Sequence, residues 1–194
     1  VSGKIEIPAD NFSLDNKQTF EINIPDQISC KVIASSDNGL FIIKTILESI
    51  SGEEEFLDLE LKLMSKIERT YLDETDILIL EDPLIIEASA IESIKRFLNE
   101  GGSIIWFAGK NYKNINQQIT SNLLLPNYKD QIILNDKSYL TVEVVDRKNP
   151  LLQDFNIRNL ESSLPKIYRY NSIIPKKDHS LILNLNNNDP FLLN

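Results

Sequence analysis

The middle of the chain alternates between short apolar runs and segments in which apolar residues recur at helical spacing. The runs CKVIAS (30–35), DILIL (76–80) and SIIWF (103–107) are almost wholly apolar, which is typical of strands buried in a parallel sheet. Apolar residues recur every three or four positions from Ser36 to Ile50, and again in EASAIESIKRFLNEGG, which ends in glycine. This order of strands and helices predicts a doubly wound, mostly parallel α/β sheet with helices on both faces.

Alternating stretches flank this pattern and predict strands with one solvated face. FLDLELKLM (56–64) alternates leucine with polar residues, so we expect it at the edge of the sheet. The runs Lys4–Ile7 and Thr19–Ile24 predict an N-terminal β-hairpin, so residues 1–29 are assigned to a hairpin or to the tail of a preceding β-rich domain. Residues 30–194 form the α/β domain. Its C-terminal part predicts antiparallel strands, with one hairpin turning at 135–137 and another at 186–189.

Composition limits the function. The chain has 194 residues and a formal net charge of −9, which argues against nucleic acid or an anionic membrane surface as a partner. One cysteine and one histidine exclude the usual zinc clusters, and we predict neither a metal ion nor a cofactor. No apolar run reaches the ~18 residues that a membrane span needs. Because the sequence opens without methionine, we expect it to be part of a longer chain.

The turn after SIIWF is where an open α/β sheet usually places its chemistry. Here that turn is Ala108-Gly109-Lys110, which contains no cysteine or serine nucleophile. Cys30 lies in an apolar stretch and is predicted to be a core residue. His179 is in a polar turn, and its spacing supports no nucleophile–base pair. We therefore predict a domain with no catalytic residues.

Polar residues at the predicted strand ends form a candidate binding crevice. Asp37, Glu81 and Asp82 follow the first and third strands of the sheet, and Lys110 follows the fourth. The carboxylates are ordinary helix-cap and turn residues, or alternatively a site for Mg²⁺ or phosphoryl chemistry. The residues of the predicted crevice are Asp37, Asn38, Glu81, Asp82, Gly109, Lys110 and Asn111.

Aromatic residues offer a weaker indication of function. Trp106 and Phe107 point to opposite faces of a strand that we expect to be covered on both sides, so they are predicted to be core residues. The segment PKIYRY (165–170) is more polar and predicts an edge strand that faces a partner.

The order of several loose motifs resembles one family. ETDILILEDP, LIIEASAIESIKRFLNEGGSIIWFAGKN, NPLLQDF, LPKIYRY and SLILNLNNNDPFLL together resemble the class I glutamine amidotransferase-like domain of bacterial aerotolerance (Bat) type membrane proteins. ASSDNGLFIIKTILESI is similar to that family's first strand and helix, and the likeness covers about residues 19–194.

The resemblance implies a flavodoxin-like sheet whose amidotransferase site is lost, since the family's nucleophile elbow falls at Ala108–Lys110. It also implies a longer chain anchored by transmembrane helices outside this sequence, with the domain on the extracytoplasmic (periplasmic) face of the inner membrane. The expected function is non-catalytic binding or scaffolding, with protein partners or other parts of the same chain. The alternatives are a module that binds a sugar or nucleotide, and an enzyme with a carboxylate or metal site at Asp37, Glu81 and Asp82.

Overall fold

The computed structural model describes residues 2–8, 16–22, 26–52, 56–64, 66–67, 72–115, 117–135, 137–152 and 165–194. Its strands, in chain order, are β1 (Ser2–Glu6), β2 (Lys17–Glu21), β3 (Ile28–Ala34), β4 (Leu57–Leu63), β5 (Lys66–Ile67), β6 (Ile77–Glu81), β7 (Ile85–Ile86), β8 (Ser103–Phe107), β9 (Asn127–Ile133), β10 (Val142–Val144), β11 (Arg169–Ile174), β12 (Leu181–Leu185) and β13 (Pro190–Leu193). The α-helices are α1 (Asp37–Ser51), α2 (Ala88–Asn99) and α3 (Gln117–Asn122), and short 3₁₀ helices cover Tyr112–Asn114 and Pro150–Leu152.

A four-stranded parallel sheet forms the centre of the α/β part, in the order β4-β3-β6-β8. The alternating strand β4 lies at one edge and the apolar strand β6 lies inside, and both positions were predicted. The register pairs Ala34 with Glu81 and Glu81 with Phe107, so three strands end at the same level. Residues that follow these strands therefore meet at one edge of the sheet.

Two apolar clusters hold the sheet and its helices together, because successive strand residues point to opposite faces. One cluster joins Ile43 of α1 to Cys30, Val32 and Ile79, which confirms Cys30 as a core residue. The other joins α2 to Ile33, Leu78 and Leu80, through the buried helix residues Ala90, Ile91, Ile94 and Phe97. Ser36 caps α1, since its side chain accepts a hydrogen bond from the Gly39 amide at 3.1 Å.

Strand β8 corrects one expectation about the core. Trp106 packs against the α2 cluster, but Phe107 leaves 49% of its surface exposed and Ile105 leaves 46%. The strand is therefore covered on one face only. It lies at the sheet's edge, where helix α1 does not reach, because α1 packs mainly on β3 and β4.

The C-terminal part consists of antiparallel pairs, as expected, but one predicted hairpin is wrong. β9 pairs with β11, while β10 pairs with β12, so the strands on either side of residues 135–137 enter different sheets. Asn135 does form a local turn with Lys137 and Ser138, and Asp136 lies outside the described residues. The final hairpin, β12–β13, is confirmed.

At the N-terminus, β1 and β2 pair antiparallel, and Asn23 and Ile24 of the predicted second run lie outside the described residues. Within the described part of the chain, no helix has the length and apolar character needed to cross a membrane.

Candidate binding cleft at the carboxyl edge of the sheet

An open cleft of about 370 Å³ lies where β3, β6 and β8 end and where β9 and β11 approach them. We call it the carboxyl-edge cleft. Its lining residues are Ser35, Ser36, Glu81, Asp82, Leu84, Ala108, Gly109, Lys110, Asn111, Gln131, Arg169, Tyr170 and Asn171.

Asp82 is bound to the turn that follows β8. The Asn111 backbone amide donates to Asp82 Oδ1 at 2.9 Å, and Asn111 Nδ2 donates to Asp82 Oδ2 at 2.8 Å and to the Asp82 carbonyl at 3.1 Å. Asp82 is buried and has a left-handed backbone with φ of 44°. Burial raises the pKa of the Asp82 carboxyl, and repulsion from Glu81 adds to this, although bonds from Asn111 and Gly109 oppose it. The Asp82 side chain thus joins the end of β6 to the turn after β8. We call these hydrogen bonds between Asp82 and Asn111 the clamp.

Gly109 lies in the turn after β8 and packs directly against Asp82. A Cβ placed on Gly109 would lie 2.4 Å from Asp82 Cγ and 2.7 Å from Asp82 Oδ2. No side chain fits at position 109 while Asp82 keeps its hydrogen bonds to Asn111. The turn is therefore shaped by contact with Asp82.

Glu81 is held in a similar way at the start of α1. Its Oε2 accepts hydrogen bonds from the Ser35 amide at 3.0 Å and from Ser35 Oγ at 3.3 Å. The Glu81 carboxyl packs directly on Gly39, where a Cβ would lie 2.4 Å from Glu81 Cδ. Both acidic residues of the cleft are thus engaged with neighbouring backbone.

Asn171 brings the antiparallel strands to the same place. Its Nδ2 donates to the carbonyls of Gly109 at 2.8 Å and Ala108 at 3.3 Å, which ties β11 to the turn after β8. Arg169 precedes Asn171 by two residues on β11 and therefore points to the same face of the strand. Arg169 and Lys110 accordingly line one cleft although they lie far apart in the sequence.

Tyr170 also lines the cleft, with its hydroxyl already bonded. The hydroxyl donates to Asp189 Oδ2 at 2.6 Å and accepts from Asn187 Nδ2 at 2.8 Å. Burial, and the hydrogen bond to the Asp189 carboxylate, raise the pKa of Tyr170. This hydroxyl serves to join β11 to the final hairpin.

The structure places five of the seven predicted crevice residues in the cleft and two outside its lining. Glu81, Asp82, Gly109, Lys110 and Asn111 line it. Asp37 and Asn38 are exposed in the first turn of α1 and do not. Among the described residues, no three or more His, Cys, Asp or Glu side chains form a group that could hold a metal ion. Asp37, Glu81 and Asp82 therefore do not make the convergent group that the carboxylate-site alternative required.

His179 and Cys30 lie in unrelated surroundings. The Nδ1 of His179 accepts from the Lys176 amide at 3.2 Å, so its Nε2 carries the proton that is donated to the Leu124 carbonyl. Cys30 is 1% exposed inside the α1 cluster, where burial raises the pKa of its thiol. The imidazole thus holds a turn to a backbone carbonyl, and the thiol is a packing residue.

Sequence reasoning missed the contribution of β9 and β11 to the cleft. Gln131, Arg169, Tyr170 and Asn171 line it, whereas the sequence predicted PKIYRY to be an edge strand that faces a partner and YRYNSII to be a late strand. No local signal places this strand beside Gly109. The Asn171 bonds, which span about sixty residues of sequence, do so.

Comparison with known proteins supports the fold and leaves the function open. No protein-family model matches the chain, and no curated protein matches it significantly. The chain is similar to the crystal structure of a ThuA-like protein from Bacteroides uniformis, with a TM-score of 0.60 and 12% identity over 92% of this chain and 71% of that chain. ThuA-like proteins have a glutamine amidotransferase-like fold. At this identity, the likeness shows the fold alone.

Proposed function

We propose that this chain is a non-catalytic binding domain with a degenerate glutamine amidotransferase-like fold, which docks against a protein surface. That surface belongs to another protein or to another part of a longer chain. The proposal includes the Bat-type assignment, membrane anchoring through segments outside this sequence, and an extracytoplasmic location, all of which rest on the sequence resemblance. The flavodoxin-like arrangement with helices on both faces is supported by the ThuA-like neighbour and by the two apolar clusters.

The observation that carries the docking proposal is an exposed apolar surface beside helix α1. Ile42, Ile46 and Ile50 are four residues apart and form one row along the helix. Gly39 lies seven residues before Ile46 on the same flank and contacts Glu81 at the end of β6. This flank of α1 therefore faces β6 and, beyond it, β8.

Strand β8 contributes the other half of this surface. Ile105 pairs with Ile79, which packs in the α1 cluster, so Ile105 and Phe107 lie on the α1 side of the sheet. We define the α1–β8 face as Ile42, Ile46, Ile50, Ile105 and Phe107. Each of these side chains leaves between 46% and 61% of its surface exposed. We infer that these side chains form one apolar patch, and a patch of this kind marks an interaction site because leaving it in water is unfavourable.

The absence of catalysis is supported by the way the cleft is bonded. The turn after β8 offers a glycine that contacts Asp82, and the nearby Ser35 hydroxyl donates to Glu81. His179, the chain's single histidine, bonds to backbone at Lys176 and Leu124. Hence no imidazole lies beside a hydroxyl or thiol in the described part of the cleft.

Site-specific photo-cross-linking in the natural full-length chain tests the docking proposal. A benzophenone amino acid replaces Ile46 on the α1–β8 face or, as the control, Glu92 on α2, whose side chain is 74% exposed. We expect irradiation in cells to give one discrete product at position 46, mapping to a defined protein sequence, and none at position 92. Equal products at the two positions, or no product at 46, would contradict docking on this face.

A further inference from the structure

The carboxyl-edge cleft contains two groups of opposite charge that differ in their bonding. Its acidic residues are engaged within the protein: Asp82 by Asn111, and Glu81 by Ser35. Its basic residues are not. Lys110 and Arg169 form neither a salt bridge nor a side-chain hydrogen bond with any described residue, and Lys110 acts on Asp82 only through a longer-range Coulombic attraction.

Lys110 and Arg169 have no ion-pair partner among the described residues although the chain is acidic overall. With 29 acidic and 20 basic residues, an exposed lysine or arginine has an excess of acidic partners available. The lysines at positions 4, 17, 31, 44, 62 and 95, for example, are all in salt bridges with glutamate. Lys110 and Arg169 instead line the same concave surface, where an outside anion would meet both.

The Asn171 side chain links the two backbone segments that carry Lys110 and Arg169. Asn171 binds the carbonyl of Gly109, the residue just before Lys110, and lies on the same face of β11 as Arg169. The Gln131 side chain, directly across from Asn171 in the β9–β11 register, reaches Asn171 Oδ1 at 3.5 Å. Hydrogen bonds of the Asn171 side chain thus hold together the backbone segments that carry Lys110 and Arg169.

We propose that the carboxyl-edge cleft binds the carboxylate or phosphate group of a small molecule, with Arg169 and Lys110 as its cationic contacts. Arg169 offers the planar pair of N–H groups that matches either anion, and Lys110 adds a compact charge. The volume of about 370 Å³ is at the small end of ligand sites, so the ligand is a small metabolite rather than a polymer. The cleft would then be a ligand site separate from the α1–β8 face.

Calorimetric titration and thermal shift with inorganic phosphate, citrate and glutamate test this inference, at matched ionic strength and with glucose as the neutral probe. The variant Lys110→Gln/Arg169→Gln is compared with Lys113→Gln/Lys177→Gln, which removes two exposed cations that do not line the cleft. We expect saturable binding of at least one anion, weakened tenfold or more by the first variant and less than twofold by the second. Unfolding midpoints in urea check that both variants fold.

Two results would overturn the inference. One is that no anion stabilises the protein more than sodium chloride of equal ionic strength. The other is that both double variants weaken binding equally, which would indicate non-specific attraction. Substituting Ile46→Glu should leave anion affinity unchanged, so the outcome here is independent of docking on the α1–β8 face.

Discussion

Adding one methyl group at Gly109 is the sharpest perturbation that the structure offers. In Gly109→Ala, the new Cβ would lie 2.4 Å from Asp82 Cγ, where ordinary contact begins at 3.4 Å. Asp82 must therefore move by about 1 Å, or the turn must open. Either movement breaks the bonds from Asn111 to Asp82 Oδ1 and Oδ2, which are 2.9 and 2.8 Å long.

The size of the effect follows from those bonds. A hydrogen bond to a charged group contributes roughly 1.5–3 kcal/mol, and overpacking alone costs about 1–3 kcal/mol. Because the two costs are alternatives in part, we expect Gly109→Ala to lower the free energy of unfolding by about 3 kcal/mol. Gly52→Ala is the control, since Gly52 has a φ of 57° and no atom within 4 Å of its added Cβ. It should cost about 1–3 kcal/mol, from backbone strain alone, because a φ of 57° with a ψ of −142° is a conformation that non-glycine residues rarely adopt.

Urea unfolding followed by tryptophan fluorescence measures the effect, because Trp106 is the single tryptophan and lies on β8 beside the turn. A double-mutant cycle identifies its cause. Asp82→Gly removes the three atoms nearest the new Cβ and suits the left-handed backbone at this position. In that background we expect Gly109→Ala to cost less than about 1 kcal/mol. An unchanged cost in the Asp82→Gly background, or a loss below about 0.5 kcal/mol in the wild type, would refute the clamp.

Three further outcomes follow from individual contacts. Burial raises the folded-state pKa of Asp82, so the stability difference between wild type and Asp82→Asn should be most favourable to the wild type below about pH 3.9 and shrink as pH rises through the raised pKa. Urea unfolding from pH 3.5 to 7 measures this difference, and a gap that widens with pH contradicts it. Cys30, 1% exposed, should resist a disulfide reagent at pH 8 in the native protein and react in 6 M urea, and rapid native labelling would show that its cluster opens. Asn171→Leu should cost about 1–3 kcal/mol by leaving two carbonyls without their donor, whereas Gln131→Leu, which loses a single long bond, should cost less than about 1 kcal/mol. Equal losses of stability in the two variants would show that the bonds from Asn171 to the Ala108 and Gly109 carbonyls do not stabilise the fold.

The parallel sheet was predictable from sequence because its signals are local. Continuous apolar runs gave β3, β6 and β8, although β8 lies at an edge, and the alternating run at Leu57–Leu63 gave the other edge strand. The exposure of Phe107 was not predictable, since an apolar run reads the same whether one face or both faces are covered. Which faces helices cover depends on packing between distant segments.

The cleft was partly predictable for the same reason. Parallel strands end at a common edge, which brought Glu81, Asp82 and the Gly109 turn together in advance. Arg169 and Asn171 were missed, because their position depends on two hydrogen bonds to the 108–109 turn from a strand of a separate sheet. The turn at 135–137 was recognised by its composition, yet composition did not reveal that its flanking strands join different sheets.

The central proposal is that the turn after β8 stabilises the fold and performs no chemistry. A turnover assay tests this proposal most directly. Purified protein is incubated with glutamine, p-nitrophenyl acetate and acetyl phosphate, beside Ser35→Ala, which removes the hydroxyl that lines the cleft. The account predicts release of ammonia, nitrophenol and phosphate at the rate of buffer alone, the same for both proteins. Saturable release that disappears in Ser35→Ala, with its stability unchanged, would contradict it.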